Sequence, residues 1–247
     1  MKSILRPYGL KLLIPAAGAL AAMLRILLYL DATDRKGLLL RGHWAEAAVW
    51  AVTAAVLLLL LPGCRKLAGR KTYDRSYPRP AVAGLGALVC GAAFGLAGYT
   101  GISAIRSTPE LLSTGMSFLA AAALAVVGIC RFARKKPPFL CHAAVSAAFA
   151  LRMVCQYRVW NAEPQLMDYA FYMVAHVALM LMSYHLSALD AGMGKAGKTW
   201  FFGLCAVYLS LVSIYRSGHP LFMAACALWA LTNLPAVKVS TKPREEG

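Results

Sequence analysis

The sequence predicts an all-α fold, a polytopic transmembrane helix bundle of about eight spans. Hydrophobic residues make up 60% of the 247 residues and charged residues only 15%, a balance typical of membrane proteins. Apolar runs of roughly 17 to 22 residues follow one another with short polar breaks, a pattern suited to lipid. The Lys and Arg residues fall mostly in alternate loops, as membrane insertion requires.

The apolar runs make residues 1–247 a single transmembrane domain. Proline stands near the ends of several runs, where its missing N–H costs least, and Pro15 is expected to kink the first span. A competing interpretation makes residues 1–22 a cleaved signal peptide, but apolar sequence resumes after Arg25, which favours one span. The predicted spans are Gly9 to Leu30, His43 to Leu61, Ala81 to Ile105, Leu111 to Cys130, Phe139 to Tyr157, Leu166 to Leu189, Thr199 to Tyr215 and Leu221 to Val237.

The distribution of basic residues predicts the orientation. With the N terminus inside, the inner segments hold about three times as many Lys and Arg residues as the outer ones. This bias predicts a protein integral to the plasma (cytoplasmic) membrane with both termini in the cytoplasm. It also accounts for the formal net charge of +16 through membrane insertion and lipid contact, so no nucleic-acid partner is expected.

The two halves of the chain, residues 1–130 and 138–237, resemble each other when Arg25 is aligned with Arg152. Leu24-Arg25-Ile26 then matches Leu151-Arg152-Met153, and a second match follows later in each half. A duplication of this kind would give two four-helix repeats in parallel orientation, related by an axis along the membrane normal. The alternative is a chance match between alanine-rich helices.

Ionisable side chains within the spans are the candidate binding residues. Each costs about 2.5 to 3.5 kcal/mol near the middle of a bilayer, so such residues often have a function. Each half offers one arginine and one carboxylate close to the predicted outer side. These residues predict a site for an anionic or zwitterionic ligand between the halves; the alternative is that each arginine snorkels or forms a structural ion pair. They are Arg25, Glu46, Arg152 and Asp168.

The histidines suggest one further ligand-binding residue. His176 lies near the centre of the sixth span, close to Tyr172, and can accept a proton or bind a ligand. His142 and His185 could face each other and hold haem or a metal, but no third ligand accompanies them, and interfacial anchoring explains them as well. The sequence therefore identifies no cofactor, metal site or catalytic residue.

Two glycine patterns have structural interpretations. Gly192 to Thr199 matches the P-loop pattern letter by letter, but it joins two membrane spans rather than a strand and a helix. An anion or a lipid headgroup at the following helix start is the remaining possibility. Gly84, Gly91, Gly95 and Gly98 share one helical face, which predicts close packing inside the bundle or across a dimer, with a permeation path as the alternative.

The sequence supports two functional hypotheses. The first is a small-molecule transporter or ligand-binding permease subunit for an anionic or zwitterionic solute. The second is an accessory or sensor subunit whose basic loop, Arg65 to Arg79, docks a cytoplasmic protein or rests on anionic lipid. An intramembrane enzyme is disfavoured because the spans lack paired catalytic motifs. The expected partners are membrane lipids, a small-molecule ligand and a membrane or cytoplasmic protein.

Overall fold

A computed structural model describes residues 7–33, 42–65, 81–103, 105–160, 169–215 and 219–234. All regular structure in these ranges is helical, apart from one isolated bridge residue, Thr33. The helices, numbered in chain order, are α1 (Pro7–Asp31), α2 (Trp44–Arg65), α3 (Ala81–Ile102), α4 (Thr108–Phe132), α5 (Phe139–Trp160), α6 (Ala170–Asp190), α7 (Ala196–Val212) and α8 (Pro220–Asn233).

These helices confirm the predicted fold class, because each coincides with one predicted span. Helices α1 to α6 are long and apolar enough to cross a membrane. Helices α7 and α8 have 17 and 14 residues, or about 26 and 21 Å at 1.5 Å per residue, against a hydrocarbon core of about 30 Å. The protein is therefore a multi-pass membrane protein with six long spans in the described part, and α7 and α8 remain predicted spans.

Helices α3 to α8 form a ring in which each helix packs on the next and α8 packs back on α3. Helices α1 and α2 pack on each other and on α7, outside the ring. Thr53 of α2 and Tyr208 of α7 share a hydrogen bond of 2.8 Å that fixes this attachment. The ring takes two helices from one proposed repeat and four from the other, so the duplication stays a prediction.

Glycines bring α3 and α4 close together. A Cβ atom added to Gly91 would lie 3.2 Å from the Ala121 carbonyl oxygen, and one added to Gly84 would lie 3.1 Å from that of Gly128. The other two glycines of the predicted stripe also face α4, towards Ala121 and Phe118. The stripe therefore serves packing inside the bundle, which was one of the two predicted packing roles.

Aromatic side chains from three helices meet in the interior of the ring. We call Phe94, Phe149, Phe222 and Trp229 the aromatic core. Ring centroids lie 5.1 Å apart for Phe94 and Phe149, and 6.2 Å apart for Phe149 and Trp229. All four side chains are buried. The aromatic core joins α3, α5 and α8 and separates the two ends of the ring.

The stretch Gly192 to Thr199 has no P-loop context. It follows α6 and runs into α7, which begins at Ala196, and no strand precedes it in the described residues. Gly192 has a φ of +81°, a left-handed conformation that suits glycine at the end of a helix. The stretch is a helix connection, as the sequence context predicts.

Candidate ligand-binding site

Arg25 lies where the C-terminal ends of α1 and α7 meet. Its side chain is only 4% exposed. The guanidinium donates a hydrogen bond of 2.9 Å to the carbonyl oxygen of Val212, the last residue of α7, and packs 5.0 Å from the ring centroid of Phe171. The last carbonyls of a helix lack intrahelical partners and carry partial negative charge. Arg25 therefore caps α7, and the helix end compensates part of its charge.

Arg152 lies inside the ring near the C-terminal end of α5, and its side chain is 6% exposed. Its Nε donates a long hydrogen bond of 3.4 Å to the Tyr172 hydroxyl, and its Cζ lies 4.4 Å from the ring centroid of Phe222. No carboxylate of the described residues forms an ion pair with it. A buried guanidinium with one long hydrogen bond is poorly compensated in an apolar bundle.

The helix ends around Arg152 increase this imbalance. Tyr172 lies in the first turn of α6, and Phe222 lies in the first turn of α8. The N-terminal end of a helix carries a partial positive charge of about half an elementary charge. Arg152 thus lies beside the positive ends of α6 and α8. This is the electrostatic setting in which an anion is stabilised. Arg25 also packs on the first turn of α6, but its hydrogen bond goes to the negative end of α7.

His176 lies one turn further along α6, beneath Tyr172, and is fully buried. Its Nδ1 is 2.9 Å from the Tyr172 carbonyl oxygen, and because a carbonyl only accepts, Nδ1 carries the proton. In the neutral imidazole, Nε2 is then an acceptor, and among the described residues it has no hydrogen-bond partner. The ring centroid of His176 is 4.2 Å from that of Tyr172 and 6.1 Å from that of Phe222.

His219 completes the group that we call the Arg152 cluster, which also contains Arg152, Tyr172, His176 and Phe222. His219 precedes α8 and occupies its N-cap position. Burial and, to a smaller extent, the positive charge of Arg152 lower the pKa of His219. A neutral imidazole at this position avoids adding a second positive charge beside Arg152.

The remaining predicted site residues lie apart from this cluster. Arg25 contacts Phe171 and Arg152 contacts Tyr172, so the two arginines approach α6 through neighbouring residues and do not share a contact in the structure. Glu46, in the first turn of α2, is half-buried and forms no ion pair with any residue in the described ranges. Asp168 lies outside the described residues. Arg152 and His176 are the predicted residues that the structure brings together.

The histidine pair suggested for haem or a metal has other partners. The ring of His185 stacks on Phe202 at a centroid distance of 5.2 Å, while His142 contacts Asp190. Within the ranges that the structure covers, no group of three or more His, Cys, Asp or Glu side chains is arranged to hold a metal ion. The two histidines therefore have structural surroundings of their own.

No family model, curated protein or solved structure matches this chain. The candidate site therefore rests on its own geometry. Sequence patterns did not indicate Phe222 or His219, because aromatic and histidine residues at span ends are common interfacial anchors. The one sequence feature that could have indicated them is their position at the start of the eighth predicted span, on the same predicted side of the membrane as Arg152.

Proposed function

We propose that this protein is a small-molecule transporter or ligand-binding permease subunit for an anionic or zwitterionic solute. The solute's negative group binds at Arg152, inside the ring of helices. The Arg152 cluster lies at the end of the ring that the charge bias predicts to face outwards from the plasma membrane. Both termini are then cytoplasmic.

The electrostatics of Arg152 carry this proposal. Its charge is buried beside the positive ends of α6 and α8, and its described partners are a hydroxyl and an aromatic face. A bound carboxylate, phosphonate or sulfonate would neutralise the guanidinium and accept bidentate hydrogen bonds from it. The Tyr172 hydroxyl accepts from Arg152 and helps to hold the guanidinium in place.

The rest of the cluster suits a zwitterion. The Nε2 of His176 has no hydrogen-bond partner among the described residues and would accept a hydrogen bond from an ammonium group of the bound solute. The faces of Tyr172 and Phe222 also attract a cation. Arg152 would thus hold the negative end of the solute, while His176 and the rings hold the positive end. Amino acids and related betaines have this charge distribution.

A ligand-stabilisation screen of the detergent-purified protein tests the proposal. The screen covers carboxylates, phosphonates, sulfonates and amino acids, and each compound that raises the melting temperature is repeated on Arg152→Gln. We expect these compounds to lose their effect, because a hydrogen bond to a charged group contributes about 1.5 to 3 kcal/mol, or roughly a tenfold to hundredfold change in affinity. The matched control is Arg25→Gln, which removes an equally buried arginine from outside the cluster.

The outcomes separate binding at Arg152 from a general effect on stability. Stabilisation that survives Arg152→Gln unchanged excludes Arg152 from the site. Stabilisation lost equally in both variants assigns the effect to weakened folding. A solute bound by the wild type and by Arg25→Gln, but not by Arg152→Gln, supports the proposal. Loss or gain of affinity in Asp168→Asn then tests the predicted role of that carboxylate.

The second candidate function is an accessory or sensor subunit that docks a cytoplasmic protein. The observation that favours it is the aromatic core, whose buried rings contact one another between the two ends of the ring of helices. The basic segment Arg65 to Arg79, most of which lies outside the described residues, would provide the docking surface. Copurification of a cytoplasmic protein that is lost when this segment is neutralised would support this function, and an absence of solutes in the screen would favour it further.

A further inference from the structure

Three ionisable side chains are buried together at the opposite end of the ring from Arg152. They come from three helices: Arg131 from the last turn of α4, His142 from the first turn of α5, and Asp190 from the end of α6. Their exposures are 0%, 0% and 1%. We call these residues the Asp190 triad. Burying ionisable groups is costly, so their presence in a membrane bundle calls for an explanation.

The Asp190 carboxylate contacts the other two side chains. Its Oδ2 is 2.5 Å from Nδ1 of His142, and its Oδ1 is 3.8 Å from Nη2 of Arg131. An ionised carboxylate only accepts hydrogen bonds, so Nδ1 of His142 carries a hydrogen and its N–H donates a hydrogen bond to Asp190. The basic lone pair of the neutral imidazole is then on Nε2. This atom is buried and has no hydrogen-bond partner within the described residues.

We propose that His142 is a proton-binding site. A proton from solvent adds to the lone pair of Nε2, an N–H bond forms, and no other bond of the protein breaks. The resulting imidazolium keeps its hydrogen bond to Asp190, and the formal charge of the triad changes from zero to +1. A carboxylate that is hydrogen-bonded to one ring nitrogen, as Asp190 is to Nδ1, orients the imidazole and stabilises its charged form. This geometry therefore suits reversible protonation at Nε2.

The groups that face His142 from the neighbouring helices act in opposite directions. From α6, the negative charge of Asp190 favours the imidazolium, while from α4 the positive charge of Arg131 opposes it. From α8, Trp229 stacks on the imidazole at a centroid distance of 6.4 Å and an interplanar angle of 19°. Within α5, the thiol of Cys141 lies next in the chain. Removing the charge of Asp190 and removing the charge of Arg131 should therefore have opposite effects on the protonation of His142.

The proton site does not depend on the proposed solute site. Phe149 and Trp229 of the aromatic core lie between His142 and the Arg152 cluster, and their rings contact His176 and His142 respectively. The two sites are also measured in different ways. A solute screen that finds no ligand leaves the proton site intact, and an absence of protonation at His142 leaves solute binding at Arg152 intact.

Trp229 is the natural reporter of this protonation. A protonated imidazole accepts an electron from an excited indole and quenches its fluorescence, whereas a neutral imidazole does so weakly. His43 also lies beside a tryptophan, Trp44, at a centroid distance of 5.6 Å, so the full-length Trp44→Phe variant is the parent for this experiment. Its fluorescence is titrated in detergent from about pH 8.5 to about pH 5, the range in which histidine changes charge. We expect a reversible loss of emission on acidification that disappears in His142→Gln and in Trp229→Phe.

The charge variants test the mechanism even if one of these variants does not fold. Asp190→Asn removes a negative charge beside His142 and Arg131→Gln removes a positive one, so the two variants should move the quenching curve in opposite directions along the pH axis. Far-ultraviolet circular dichroism and gel filtration check that each variant is folded. Quenching that persists in folded His142→Gln or in Trp229→Phe would overturn the proposal, as would shifts of the same sign in Asp190→Asn and Arg131→Gln.

Discussion

Arg25 and Arg152 lie at the same end of the bundle and are buried to a similar degree, but their hydrogen-bond partners differ. The C-terminal carbonyl of α7 accepts a hydrogen bond from Arg25, whereas Arg152 lies beside the first turns of α6 and α8. Partial charges at helix ends stabilise a cation in the first case and an anion in the second. This difference in partners is why we propose a structural role for Arg25 and a binding role for Arg152.

Arg25 is expected to contribute stability rather than ligand affinity. Arg25→Gln removes a charged hydrogen bond and a ring contact, so the free energy of unfolding should fall by about 2 kcal/mol and the melting temperature by about 5 °C. Thermal unfolding of the purified protein in detergent measures the change in melting temperature. The matched control is Arg158→Gln, an exposed arginine on α5 that should change the melting temperature by less than about 1 °C. Equal effects of the two variants would contradict the capping role of Arg25.

His219 should make anion binding depend on pH. Its lowered pKa keeps the imidazole neutral at pH 7, and a bound anion would favour the charged form. The affinity for a sulfonate found in the screen, whose own charge is constant, should therefore rise as the pH falls from about 7 to about 5. In His219→Gln this rise should be lost. An affinity that is independent of pH in the wild type, or that falls on acidification, would contradict the proximity of His219 to the bound anion.

At the scale of the elements, the close approach of α3 and α4 depends on glycine. A Cβ at Gly91 would lie 3.2 Å from both the Ala121 carbonyl oxygen and the Leu124 Cβ, and neither atom belongs to a flexible side-chain end. Gly91→Val should therefore separate the helices and lower the free energy of unfolding by about 1 to 3 kcal/mol. Gly115→Val on α4 is the control, because no atom lies within 4 Å of its added Cβ. Similar losses in both variants would attribute the effect to helix propensity instead of packing.

The helices themselves could be predicted because apolar length alone determines where a chain can cross lipid. The predicted starts of the third and fifth spans, Ala81 and Phe139, are those of α3 and α5. The predicted ends were less accurate: Thr199 to Tyr215 became Ala196–Val212, because α7 starts directly after its N-cap residue Lys195. Apolar sequence continues past a helix end, so hydropathy does not mark the cap.

For the whole molecule, the orientation in the membrane remains a prediction that labelling can test. Arg106 and Lys135 lie in exposed connections at opposite ends of the bundle, before α4 and after it. In intact cells, a membrane-impermeant maleimide should label Arg106→Cys but not Lys135→Cys, since the charge bias places the second connection inside. The unsubstituted protein, with its seven native cysteines, gives the background. The reverse labelling pattern would invert the topology and place the Arg152 cluster on the cytoplasmic side.

The candidate site could be predicted only in part because it depends on how the ring closes. The sequence indicated that Arg152 and His176 are buried within spans, and the structure brings them together through Tyr172. It did not indicate that α8 packs beside α3, which brings Phe222 of α8 into contact with Phe94 and with Arg152. It also gave no indication that the Arg131 side chain is buried against Asp190. Contacts between distant helices are not encoded in local hydropathy.

The most direct test of the account is the dissociation constant of the best solute from the screen, measured by calorimetry on the wild type, Arg152→Gln and Arg25→Gln in detergent. We expect Arg152→Gln to raise the dissociation constant at least about tenfold, because a charged hydrogen bond is lost. Arg25→Gln should leave it within about twofold, since that residue serves the fold. A dissociation constant that is unchanged in Arg152→Gln, or raised equally in both variants, would contradict the assignment of the solute site to Arg152.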